Sequence, residues 1–91
     1  MPKTIFGGDH QRLVEVLIEA RKRAGLKQEE VATRIGRDQT FISLIERGQR
    51  RLDVIEFVRL AKALDAEPSA LFGTLLSRID LGSAPGVGTT D

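Results

Sequence analysis

The residues able to do chemistry crowd into one stretch of this 91-residue chain. Gln28, Gln39, Thr40 and Ser43 supply amides and hydroxyls, and Arg47, Arg50 and Arg51 follow as a cationic cluster with Lys27 just upstream. Amides and hydroxyls can pair with donor and acceptor edges, whereas guanidinium and ammonium groups bind anionic oxygens. The inventory for catalysis is poor. There is no cysteine, a single histidine (His10), no serine nucleophile signature and no carboxylate pair apart from helix caps. "FGGD" is a flexible joint and not a phosphate loop. These absences argue against an enzyme, a metal site or a cofactor.

Charge points the same way through its distribution. The net charge is only +1. Between Arg21 and Arg51, however, nine basic residues stand against four acidic ones, a net of +5, while the remainder carries −4. Such asymmetry is expected when one face meets phosphate and the other does not.

These side chains need a scaffold, and helical periodicity supplies it. Residues 1–8 read as a flexible arm, residues 9–80 as the folded domain and residues 81–91, rich in Gly, Ser, Thr and Pro, as a disordered tail. Asp9 is expected to cap a helix carrying Leu13, Val14, Leu17, Ile18, Ala20 and Ala24 inward, stopped at Gly25. "KQEEVATRIG" makes a short second helix with Val31, Ala32 and Ile35 inward. Asp38 caps a third, with Ile42 and Ile45 buried and Gly48 at its end. Asp53 to Glu56 forms a capping box for a fourth helix, and Pro68 opens a fifth. The fold class is therefore all-α with five helices. Helices two and three, separated by a glycine-centred turn, must cross steeply, with Ala32 allowing close approach. That is the geometry of a helix-turn-helix, whose second helix projects into a major groove.

"LKQEEVATRIGRDQTFISLIERGQRR" followed by "FVRLAKAL" resembles the Cro/C1-type helix-turn-helix family, also called the xenobiotic-response-element family. The likeness spans roughly Leu13 to Phe72 and rests on Gln28, Ala32, Gly36, Ile42, Ile45 and Glu46 to Gly48 in order. It implies a lambda-repressor-like fold and a prokaryotic, cytoplasmic transcriptional regulator whose partner is double-stranded DNA, with no membrane association. Gln39 and Thr40, at the leading end of helix three, are expected to contact bases, with Ser43 one turn on. Leu44 stands where many relatives carry a polar or basic residue; it either meets a thymine methyl or packs at the rim. Gln28, Lys27, Arg47, Arg50 and Arg51 are expected on phosphates. Phe41 is expected to pack. In the family, residues equivalent to Arg21 and Glu46 pair and fix the angle of the recognition helix.

The fifth helix carries Leu71, Phe72, Leu75, Leu76 and Ile79, a stripe expected to form a homodimer seam. A dimer would set two recognition helices about 34–36 Å apart on a palindromic operator. Compact restriction–modification controller proteins resemble this arrangement. The rival reading is an antitoxin or protein-interaction module that can also bind its own promoter, with a toxin or RNA polymerase as partner.

Overall fold

The computed structural model describes residues 8–79. Five helices follow one another: α1 (Gly8–Arg23), α2 (Gln28–Arg34), α3 (Gln39–Glu46), α4 (Val54–Ala63) and α5 (Pro68–Arg78). There is no strand among the described residues. Of the arm expected at 1–8, residues 1–7 lie outside them, as does the tail expected at 81–91.

The helix starts follow local chemistry. The Asp38 carboxylate accepts from the Phe41 N–H at 3.2 Å, satisfying one of the orphan donors that open α3. At α4 the box is complete: Asp53 Oδ1 accepts from Glu56 N at 2.7 Å and Glu56 Oε1 from Asp53 N at 2.9 Å. Pro68 occupies the first turn of α5, where Glu67 caps by accepting from Ala70 N at 3.0 Å. The first helix departs from expectation. It already includes Gly8, so Asp9 lies inside its first turn, where its charge suits the helix dipole, and is not the cap.

The helix ends repeat one device. After α2, Gly36 takes φ of 72°, its N–H donates to Thr33 and that of Arg37 donates back to Ala32. The same paired bonds close α1 at Gly25, α3 at Gly48 and, with an aspartate in the left-handed position, α4 at Asp65, φ 58°. Each reversal is therefore short, and the helices stack around one core.

That core joins Val16, Leu17 and Ala20 of α1 to Val31, Ala32, Phe41, Ile42 and Ile45, and to Phe57, Leu60, Ala61, Leu71 and Leu75. Ala32 and Ala61, 1% and 0% exposed, let backbones approach where larger side chains would hold them apart. Val16 belongs to this core, so the buried stripe of α1 is rotated from the one expected; Ile18 and Leu13 are only half-buried. Arg34 ties α2 to the end of α4 through a 2.8 Å bond to the Ala63 carbonyl. Arg78 grips both carboxylate oxygens of Glu19 at 2.6 and 2.9 Å, tying α5 to α1.

The stripe on α5 divides. Leu71 and Leu75 are buried in the domain's own core, because those positions face α1 and α4, and so cannot form an outer seam. Ile79 is half-buried against the same core. Phe72 and Leu76 are the outward pair, 48% and 41% exposed. Phe72 meets Phe57 edge-on, ring centroids 6.1 Å apart. Beside it a hollow of about 400 Å³ opens between α1, α4 and α5, lined by Leu13, Val54, Phe57, Val58 and Phe72.

Candidate nucleic-acid interface

The short α2 is followed by the turn Ile35–Asp38 and by α3, whose inner edge of Phe41, Ile42 and Ile45 is buried. Seated on that edge, α3 leaves Gln39 and Thr40 exposed at its leading end, with Ser43 and Leu44 half-buried one turn on. Lys27, Arg47 and Arg51 are exposed at the flanks.

A run of hydrogen bonds holds the exposed end of α3. Arg21 of α1 presents three nitrogens: Nε donates to Glu46 Oε2 at 2.7 Å, Nη2 to Glu46 Oε1 at 2.9 Å and Nη1 to the Leu26 carbonyl at 2.9 Å. Glu46 Oε1 also accepts from Gln28 Nε2 at 2.9 Å. Gln28 Oε1 in turn accepts from Gln39 Nε2 at 2.6 Å. The relay thus starts on α1, passes the last residue of α3 and the first of α2, and ends on the first of α3. Both members of the ion pair are mostly enclosed, with side-chain exposures of 15% and 9%. The Glu46 hydrogen bonds hold the Arg21 guanidinium above its ordinary pKa, against the opposing effect of burial.

Arg50 is built into the fold more firmly than a solvated cation. It donates to both carboxylate oxygens of Glu56 at 3.1 Å each and to the Arg51 carbonyl at 2.6 Å. Its guanidinium carbon lies 4.5 Å from the centroid of the Phe41 ring, and that of Arg37 lies 3.8 Å from it. Phe41, 6% exposed, packs as expected and also carries two cations over its ring. The Glu56 carboxyl is held below the usual carboxylate range by the hydrogen bonds from Arg50, then by the one from Asp53 N–H. Sequence reasoning missed this cluster; the available signal was the Glu56 of the capping box, six residues beyond Arg50.

His10 was missed as well. It is buried near the start of α1, bonded to the backbone of Arg50, so α1 braces the segment between α3 and α4. Burial, and then the charge of Arg51, hold its imidazole below the ordinary value, with the Arg50 bond acting in the other direction. Among the described residues no group of His, Asp and Glu could hold a metal, and no helix is long and apolar enough to cross a membrane.

Two short helices packed on each other, a tight turn and an exposed polar leading end define a helix-turn-helix protein. A helix-turn-helix family model matches residues 17–71. The HTH-type transcriptional regulator y4dJ of Sinorhizobium fredii, itself uncharacterized, is 48% identical over 44 residues, 48% of this chain; the chain spans 57% of that relative's length. An XRE-family-like protein from Pseudomonas syringae is 43% identical and superposes with a TM-score of 0.72, over 76% of this chain and 84% of that one. The restriction–modification controller protein C.Esp1396I, solved as a tetramer with its natural 35 base-pair operator, is 27% identical with a TM-score of 0.72, covering 78% of this chain and 93% of its own. The chain belongs to the Cro/C1-type helix-turn-helix family of DNA-binding transcriptional regulators.

Proposed function

We propose that this chain is a homodimeric, cytoplasmic regulator that binds a palindromic operator, reading bases with Gln39, Thr40 and Ser43 and holding phosphates with Lys27, Gln28, Arg47, Arg50 and Arg51. The hydrogen bond from Gln39 to Gln28 carries the reading. It uses one of the two amide hydrogens of Gln39 and leaves Oε1 and the second N–H, the pair that a bidentate contact to adenine N6 and N7 requires. Gln28 likewise keeps one N–H after serving Glu46, enough for a phosphate oxygen. Leu44 joins the reading surface as an apolar contact for a thymine methyl.

The dimer contact is drawn from the outward part of α5. Phe72 and Leu76, with Val54 at 75% exposure beside the apolar hollow, offer a patch that a second copy would cover. The operator-bound assembly of C.Esp1396I supports a multimer on DNA.

Selection from random duplexes followed by mobility shifts tests the proposal. Binding to the best sequence at least about a thousandfold tighter than to bulk DNA is expected. Gln39→Ala should relax preference at one base position by about 1–3 kcal/mol, whereas Arg47→Ala should weaken all sequences alike and lower the salt slope by about one. A selection that returns no preferred sequence overturns the proposal.

A further inference from the structure

The face between α2 and α4 is a groove whose two walls repeat one pattern. One wall carries Arg34, Ile35 and Arg37, running out of α2 into the turn. The other carries Ile55, Arg59 and Lys62, one outward stripe of α4 at helical spacing. Each wall therefore holds two cations and one isoleucine. Two hollows of about 140 and 530 Å³ meet at Ile35 and Arg59. Ile55 is 61% exposed, so its aliphatic side chain is open to a partner beside the groove's cations.

Two of the acids nearby are engaged elsewhere. Asp53 caps α4 and Glu56 holds Arg50. Asp65 reaches only Arg34, at 3.3 Å and with its side chain 70% exposed. Among the described residues the side chains of Arg59 and Lys62 form no hydrogen bond or ion pair. The groove thus presents a positive field over an apolar strip.

We infer that this groove docks an acidic segment of another protein, one that places aliphatic side chains between its carboxylates. Carboxylates match the four cations, and the aliphatic groups cover Ile35 and Ile55. A phosphate backbone would satisfy the cations but has nothing to lay against two isoleucines, which is why the geometry favours a protein over nucleic acid.

The test is a titration of the isotopically labelled full chain with a short synthetic helical peptide bearing Glu residues and two leucines one turn apart. A second peptide of equal charge has serine for leucine. The inference expects amide shifts at Ile35, Ile55, Arg59 and Lys62 with the first peptide. It also expects about a tenfold weakening for the serine peptide, and the same loss for the Arg59→Ala/Lys62→Ala variant. Ile55→Ser, an exposed change that leaves the core intact, should weaken the leucine peptide and not the serine one. Equal binding of both peptides, or shifts spread over the basic surface without Ile55, overturns the inference. So does a double variant whose main effect is a loss of binding to plain duplex DNA with a salt slope lowered by about two, which would make these cations phosphate contacts. A change in the chain's own sedimentation on the same substitutions overturns it in favour of a contact between copies.

Discussion

Removing Arg21 should be among the most damaging single changes outside the apolar core. Arg21→Met deprives Glu46 of two charge-assisted hydrogen bonds, at 2.7 and 2.9 Å, and the Leu26 carbonyl of one more. Gln28 would remain as the partner of Glu46. Hydrogen bonds to charged groups contribute about 1.5–3 kcal/mol each, and breaking a buried pair by removing one partner costs about 3–5 kcal/mol. With exposures of 15% and 9% the pair is enclosed but not sealed, so the lower end, about 3 kcal/mol, is expected. A domain of this size holds only about 4–11 kcal/mol in total. Melting should therefore fall by about 10–20 °C, read by circular dichroism, with urea unfolding giving the free energy. Arg21→Lys should rescue little, because three separate nitrogens of the guanidinium are in use and an ammonium offers one. Combining Arg21→Met with Glu46→Gln should recover part of the loss, since no buried carboxylate is then stranded, and the cycle should give a coupling near 2 kcal/mol. A single-variant loss below about 1 kcal/mol, the range of exposed pairs, would refute the claim that this pair holds α3 in place.

Gly36→Ala meets no neighbour that a Cβ would strike, so its cost should be backbone strain alone, about 1–2 kcal/mol by urea denaturation. The imidazole of His10 lies below its unfolded value of 6.5, so its contribution is fully present above that pH and is lost as pH falls through the lower folded value. Stability measured between about pH 6.5 and 5, above the carboxylate range, should decline in the parent chain and stay flatter in His10→Gln. On α5, Leu75→Ala should cost about 2–5 kcal/mol of monomer stability, while Phe72→Ser should change stability far less and weaken self-association in sedimentation.

Features decided within one turn of chain were legible in the sequence. The Asp38 cap, the Asp53–Glu56 box and Pro68 in the first turn of α5 all depend on neighbours no more than three residues away. So did the glycine reversal between α2 and α3. What escaped depends on where helices finally rest. Periodicity could not tell that Val16 joins the core in place of Ile18, because a rotation of one residue around α1 is set by what packs against it. Nor could it divide the α5 stripe, whose inner and outer members are equally apolar. Arg50 and Glu56 meet across a loop that no periodicity covers. Counted by composition, Arg50 is one cation among three; in the fold it is clamped by a carboxylate and an aromatic ring.

That clamp and the Arg21 relay bear on the proposed reading of DNA in different ways. Gln39 is oriented by a side chain from α2, which is oriented by one from the far end of α3, which is oriented by α1. A contact made by a pre-positioned amide loses less rotamer entropy on binding than one made by a free side chain. On the proposed reading, the relay therefore serves discrimination at one base more than overall grip. Arg50, fixed against Phe41 and Glu56, gains the same pre-organisation but surrenders much of its charge to a carboxylate, so its pull on phosphate is weaker than that of exposed Arg47. Replacing Glu56 by Gln should then raise affinity for all duplexes together while lowering stability through the loss of the Arg50 ion pair. If affinity for duplexes falls along with stability, the clamp is positioning Arg50 for phosphate, and the discount on its charge is wrong.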